Sequence, residues 1–343
     1  MLQVILSIKN SKNIHLRRFI TVAQTEIDLS IIVVAWSIKD VVAECFTAIA
    51  RSEDHLRKEL IYVDNGSTDG TVAMVKDKFP HTLIIESPTN LGFVKANNLA
   101  YPQTRGKYIL LLNADAFVGK NTLQESVNFM EQRRDCGILG CRLVDRDGVM
   151  QPSARYFPTP WNLFLTKLGW INNQKAWLKG IDNLQQDHSQ IIECDWVPGC
   201  YLMVRKAIIE DLNDCLLRPD FFMYFEDTDI CLRVKQKGWQ VIFYPNEVIH
   251  LGGVNSAKLT EVTAKGKQIE KYNLESEFIY FRKNYGIFTV LWDFTLIAVV
   301  TFLRIIKRIL SLRNIEKKST WDRLVLATSI LVKTRLGKHR GSE

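Results

Sequence analysis

The sequence predicts an α/β fold built on a parallel or mostly parallel sheet flanked by helices. Three observations predict it. Short β-branched or aliphatic runs alternate with segments of helical period from Leu29 to about Asp145. The run Tyr108-Ile-Leu-Leu-Leu112 has no polar break, as a strand buried on both faces requires. Polar turns rich in carboxylates follow several of these runs, at the strand ends where open α/β sheets bind ligands.

Residues 1–28 mix polar and apolar residues without a clear period and are read as an amino-terminal extension. Met1 to Ile8 is apolar but short and lacks a basic start, so no signal peptide is expected there. Leu29 to Trp36 reads as a strand; Asp40 is then placed as the N-cap of a helix carrying Val41, Val42, Cys45 and Ile49. Leu60 to Val63 is a second strand and Thr71 to Phe79 a second helix. Thr82 to Ile85 is a third strand, Gly92 to Ala100 a short helix, and Tyr108 to Leu112 the next strand. A helix follows on Leu123, Val127 and Met130, then a strand from Gly137 to Gly140. Beyond Asp145 the alternation stops. Gln151 to Trp161 is rich in proline and aromatics, and Trp161 to Leu184 is expected to be helical. A turn at Asp195 leads to a strand ending near Val204, and a helix after Glu226 stops at Gly238. Two short strands are expected at Trp239 to Tyr244 and Val248 to His250.

The composition, 47% hydrophobic and 24% charged over 343 residues, is that of a globular protein. Seven scattered cysteines without a Cys-x-x-Cys pair read as free thiols, so a cytoplasmic location is expected. Arg304 to Glu343 holds eleven Lys/Arg against three acidic residues, a surplus equal to the +8 of the whole chain. The rest is balanced, with 34 basic and 34 acidic side chains, which does not fit a nucleic-acid binder.

Four constellations can carry chemistry. Asp64 ends a buried strand in Asp64-Asn-Gly-Ser-Thr-Asp69-Gly and needs donors to stay charged; a nucleobase or ribose would supply them, whereas Asp69 suits a helix cap. Asn90-Leu-Gly92-Phe-Val-Lys95 opens a helix with a glycine and places a cation one turn in, suited to a phosphate or simply to a capped surface helix. Asn113-Ala-Asp115 follows the buried strand and suits a metal, or a local turn. Glu226-Asp227-Thr-Asp229 follows Phe221, Phe222 and Tyr224, and a carboxylate among apolar neighbours has the raised pKa of a general base. His250, alone on its spacing, is more often a structural histidine than a ligand.

Taken together, VVAWS, VDNGSTDGT, NLGFVKANN, LLNADAFV, the stretch from Gln151 to Pro158, DWVPGCYLMVRK, FFMYFEDTDICLRVKQKGW and IHLGG resemble the family 2 glycosyltransferases of the GT-A fold, in their rhamnosyltransferase-like branch. The ordered segments cover roughly Leu29 to Ser256. The resemblance implies a catalytic domain over 29–256, with a nucleotide-sugar half at 29–145 and an acceptor half at 146–256. It implies that Asp64 and Trp36 read the base of a dTDP- or UDP-sugar and that Asn90, Gly92, Lys95 and Asn113 assist in binding that donor. It further implies that Asp115 and His250 hold Mg2+ or Mn2+, that Asp227 beside Glu226 is the general base, and that Trp196 and Gly199 lie at a saccharide or lipid-linked acceptor. The reaction implied is an inverting transfer in cell-surface polysaccharide synthesis, with rhamnose suggested by the branch alone. Asn113 stands where the metal motif commonly has aspartate, and Cys215 to Asp220 lacks the usual Gly-x-Phe-Asp-Glu pattern. The alternative is a catalytically silent nucleotide-sugar-binding or scaffold subunit of a polysaccharide assembly complex, which would need no base at Asp227.

Residues 257–343 are expected to form a basic, amphipathic helical region. Ile287 to Leu303 carries one charge, Asp293, and basic residues alternate with apolar ones after it. Such helices suit the inner face of the plasma membrane, bound peripherally; the alternative is a helical subdomain packed on the catalytic domain.

Overall fold

In the computed structural model, which describes residues 27–170, 180–212, 215–252, 263–310 and 318–340, two strands explain the whole layering. β1 (Ile27–Ala35) and β4 (Gly106–Asn113) run parallel and side by side. Alternate residues enter opposite cores: Ile32, Val34, Ile109 and Leu111 join one cluster, and Leu29, Ile31, Val33, Tyr108 and Leu110 the other. A sheet buried on both faces needs helices on both, and the unbroken apolar run follows from that.

β2 (Lys58–Asp64) and β3 (Leu83–Glu86) extend the parallel half beyond β1. On the other side of β4 the sheet changes character. β9 (Tyr201–Arg205) is inserted antiparallel between β4 and β6 (Cys136–Val144), and β10 (Gln240–His250) then pairs parallel with β6. β5 (Ala116–Val118), antiparallel to β10, closes the order β3-β2-β1-β4-β9-β6-β10-β5. Two short strands, β7 (Met150–Gln151) on β6 and β8 (Ile192–Cys194) on β10, lie off this path. The sheet is therefore mixed: parallel as expected up to β4, and antiparallel on both sides of β9.

One core face is covered by α1 (Lys39–Ala50), α2 (Thr71–Lys78) and α4 (Thr122–Gln132), through Val42, Met74 and Leu123. The other is covered by α3 (Gly92–Ala100), α6 (Lys206–Asp211) and α7 (Glu226–Gln236), through Val94, Ile208 and Ile230. Near this layer lies α5 (Pro160–Leu168), capped by Thr159 in a reciprocal bond with Asn162. The longer helix expected over Trp161 to Leu184 stops here, because Gly169 turns left-handed at φ 70°; residues 171–179 lie outside the described residues. Asp40 is not the N-cap of α1. Asp69, thirty residues on, accepts from the Lys39 amide at 3.0 Å while also bonding the Thr71 amide, so one carboxylate serves two helix starts. The two strands expected after Gly238 are one, bulged between Tyr244 and Glu247.

Three carboxy-terminal helices follow: α8 (Thr263–Tyr285), α9 (Ile287–Leu310) and α10 (Lys318–Lys333). Phe278, Val290, Ile297 and Ala327 belong to the same buried cluster as the sheet, so these helices pack on the α/β layer rather than standing apart. Ile287–Ile306 is long and apolar enough to cross a membrane, with mean hydropathy 1.9, yet a third of it is buried in the protein. Asp293 lies on the buried side, its carboxyl pushed up to about 9 by burial and then by the Glu277 charge. The outer side exposes Phe288, Trp292 and Phe302. Of the amino-terminal extension, only residues 27 and 28 are described, and both belong to β1.

α7 is tied to this framework by a buried clamp. Asp229, fully buried, accepts from Arg233 Nε at 2.9 Å, Arg218 at 2.9 Å and Asn284 at 3.0 Å, linking α7 to α8. Asp229→Ala removes the buried carboxylate to which Arg233, Arg218 and Asn284 all donate, so unfolding in urea should show a loss of about 3–5 kcal/mol.

Candidate active site

The carboxyl ends of β1, β2 and β4 open into a cavity of about 350 Å³, at the point where the chain passes from one side of β1 to the other. Its walls are Trp36 after β1, Asn65 after β2, Asn113 and Asp115 after β4, and His250 ending β10. Gly92 and Phe93 of α3, Pro198 to Cys200, Phe222 to Tyr224, and Glu226 and Asp227 of α7 complete it.

Register places the metal candidates. β4 ends at Asn113, whose amide donates to the Cys200 carbonyl at 3.0 Å, and Ala114 and Asp115 turn into β5. His250 pairs with Ala116 across β5 and β10, and the Leu251 amide donates to the Asp115 carbonyl at 3.0 Å. The two side chains therefore meet, with His250 Nε2 3.6 Å from Asp115 Oδ1. That oxygen is buried and has no hydrogen-bond partner. Burial lowers the His250 pKa while the Asp115 charge raises it, and burial is the larger influence. A buried carboxylate oxygen facing an imidazole nitrogen, with no hydrogen bond between them, is a donor pair that fits a divalent cation. Among the described residues no third His, Cys, Asp or Glu joins them.

A strained turn places the acids. Tyr224 and Phe225 are both left-handed, at φ 70° and 63°, a conformation costing non-glycine residues about 1–3 kcal/mol each. The turn starts α7 at the cavity wall, with Glu226 and Asp227 in its first turn. Asp227 accepts from the Gly199 amide at 3.0 Å and the Thr228 amide at 2.7 Å. Burial raises its pKa and these amides lower it, leaving it raised. Glu226 lies deeper, with Oε2 unpartnered, and burial together with the Asp227 charge pushes its pKa well above the usual range. Glu226 therefore holds its proton to higher pH than Asp227, which the two amides reach.

A family model described as glycosyl transferase family 2 matches residues 30–212, more than half of the chain. The chain belongs to glycosyl transferase family 2. Among curated relatives, the N-acetylglucosaminyl-diphospho-decaprenol L-rhamnosyltransferase of Mycobacterium tuberculosis is 26% identical over 56% of this chain and 66% of its own length. The rhamnosyltransferase WbbL of Escherichia coli is 26% identical over 45% of this chain and 58% of its own. The chain thus spans just under two thirds of the first relative and less of the second. Among solved structures, the mannosyltransferase PcManGT of Pyrobaculum calidifontis, in complex with GDP-Man and Mn2+, superposes with a TM-score of 0.50 at 15% identity. The match covers 92% of this chain and 89% of that one, which supports the GT-A layering.

Nine residues expected at the family's site line the cavity together: Trp36, Asn90, Gly92, Asn113, Asp115, Gly199, Glu226, Asp227 and His250. Three stand elsewhere. Asp64 is buried beneath the wall, and its donors are the chain's own, the Tyr62 hydroxyl and the Ser67 amide, each at 2.9 Å. Lys95 is exposed on α3 and outside the cavity lining. Trp196 is also outside it; its indole N–H donates to the Tyr156 carbonyl at 2.9 Å, and Arg155 lies 4.7 Å from its ring centre. The phosphate cradle expected at α3 is also occupied. The Gly92 amide donates to Asn90 Oδ1 at 2.9 Å and the Phe93 amide to the Phe222 carbonyl at 3.0 Å. Gly92 is needed for packing, since a Cβ there would lie 2.4 Å from the Phe222 ring.

Asn65, Phe93, Pro198, Cys200 and Met223 line the cavity without having been singled out. Asn65 alone carried a signal, its place beside Asp64: its amide donates to Asn90 Oδ1 and accepts from the Leu91 amide, joining the ends of β2 and α3. The raised Glu226 pKa favours the folded state below the unfolded value of about 4.5, and this contribution is lost as pH rises towards the folded value. Glu226→Gln removes the titration. Its stability relative to wild type should grow as pH rises from 4.5 to 8, measured by denaturant unfolding at each pH.

Proposed function

We propose that this protein is an inverting, divalent-metal-dependent glycosyltransferase. It moves a sugar, rhamnose by the likeness of its relatives, from a dTDP- or UDP-sugar to a saccharide or lipid-linked acceptor in cell-surface polysaccharide synthesis. The observation that carries this is one cavity, at the switch point of the sheet, walled by both the Asp115–His250 pair and the Asp227 carboxylate. A scaffold subunit has no use for a buried, basic carboxylate opposite a cation site.

Residues 29–145 would hold the nucleotide-sugar and 146–256 the acceptor. Trp36 offers its ring to the base, while Asp64 stiffens the strand end behind it through Tyr62 and Ser67. Asp115 and His250 would hold Mg2+ or Mn2+, which when bound supplies positive charge to the departing diphosphate. Asp227 takes the proton from the acceptor hydroxyl, and that oxygen attacks the anomeric carbon in line, inverting it. The Gly199 and Thr228 amides fix the Asp227 carboxylate in place, and burial disfavours a second negative charge on Glu226 beside it.

Asp227→Asn should lower transfer by about 10²–10⁴-fold. In wild type the acid limb of the rate profile should lie above the 3.8 of an ordinary aspartate, because the base works only when deprotonated. Asp115→Ala should abolish transfer and Asn113→Ala only weaken it. Metal-dependent release of nucleoside diphosphate that is the same in wild type and Asp227→Asn refutes the base assignment.

The outer side of α9 bears Phe288, Trp292 and Phe302, with Trp161 on α5 and Trp321 on α10 also exposed, and the basic surplus of the chain lies in the sequence from Arg304 onward. This surface would hold the enzyme peripherally on the cytoplasmic face of the plasma membrane, where a lipid-linked acceptor resides. Wild type should float with vesicles containing anionic lipid, and Phe288→Ser/Trp292→Ser/Phe302→Ser should stay at the bottom of the gradient. Equal flotation of the two removes the membrane role.

A further inference from the structure

His250 has two ring nitrogens, and a neutral imidazole can offer a lone pair from only one of them. Gln151 decides which. Its backbone is held where β7 pairs Gln151 with Leu143 of β6, and its carbonyl accepts from the Ser153 hydroxyl at 2.7 Å. The side-chain amide then grips His250 twice. Nε2 donates to the His250 carbonyl at 2.8 Å, and Oε1 lies 2.8 Å from His250 Nδ1.

The chemistry of these groups allows one assignment. A backbone carbonyl only accepts, so the amide nitrogen is the end that faces it, and Oε1 must face the ring. Oε1 also only accepts, so Nδ1 carries the hydrogen. In the neutral ring Nε2 then presents its lone pair, and it is Nε2 that lies 3.6 Å from the unpartnered Asp115 Oδ1. Two acceptors face each other with no hydrogen between them, an arrangement that a cation relieves.

We propose that Gln151 is a positioning residue that fixes His250 in the Nδ1–H tautomer and thereby presents Nε2, beside Asp115, to a divalent cation. The inference rests on the metal role given to Asp115 and His250 above. Histidine ligands elsewhere depend in the same way on what their other nitrogen bonds, and removing such a partner costs about 10–100-fold in metal affinity. The nearly isosteric Gln151→Met loses both grips, whereas Gln151→Glu keeps an acceptor for Nδ1–H.

Two measurements on the full chain test this. In the metal-free protein, long-range ¹H–¹⁵N spectra assigned with His250→Asn should show Nδ1 protonated in wild type and mixed tautomers in Gln151→Met. Mn2+ titration in the presence of a nucleoside diphosphate, followed by electron paramagnetic resonance, should show affinity about 10–100-fold weaker in Gln151→Met and partly restored in Gln151→Glu. Thermal unfolding of each variant separates this from loss of the fold. Wild-type binding with Gln151→Met unchanged in both affinity and tautomer overturns the role of Gln151 alone. No Mn2+ binding by wild type overturns the metal site itself and, with it, the cation-presenting role.

Discussion

Two lone pairs face each other across 3.6 Å at the heart of this molecule, one on Asp115 Oδ1 and one on His250 Nε2. Left alone they repel, and Asp115 Oδ1 has no hydrogen-bond partner to relieve it. The fold nevertheless forces them together. β4 is held between β1 and β9, the turn after it puts Asp115 at the rim, and the pairing of β5 with β10 brings His250 opposite. Many features of the sheet's second half serve this meeting. An all-parallel sheet could not return β10 against the three-residue strand that leaves the Asp115 turn.

The acid pair is placed by a different device. Two consecutive left-handed residues, Tyr224 and Phe225, store strain that the Asp229 clamp and the packing of α7 offset. Arg218 and Arg233 anchor Asp229, so the first turn of α7 cannot drift from the cavity. The same helix start then raises the pKa of Glu226 further than that of Asp227, the two separated by depth and by the amides that reach Asp227. Packing continues outwards: Phe222 closes on Gly92 and stacks against Tyr272 of α8, and the Ser276 hydroxyl donates to the Met223 carbonyl. The carboxy-terminal helices thus support a wall of the cavity while turning a separate apolar side outwards.

Much of this was legible in the sequence wherever a signal was local. The run Tyr108 to Leu112 declared a strand buried on both faces, and the bounds of α3 agree with the expected helix from Gly92 to Ala100. Signals carried over distance were not legible. The cap of α1 comes from Asp69, and the antiparallel insertion of β9 has no mark in its own residues. Lys95 and Trp196 were read from motif position, but helix phase turns Lys95 to solvent, and the Tyr156 carbonyl claims the Trp196 indole. Asp293 stood out only as the one charge of its apolar run; its burial on the inner side of α9 is a tertiary fact. Gln151 gave no sign beyond its stretch, because its role depends on a partner ninety-nine residues away.

The proposed joint role of Asp115 and His250 is to hold a divalent cation. Anomalous diffraction at the manganese edge, from crystals soaked with Mn2+ and a nucleoside diphosphate, tests it most directly. A single strong peak is expected within bonding distance of both Asp115 Oδ1 and His250 Nε2. A fully occupied nucleotide with no peak there, or with the ion held by other residues, contradicts it.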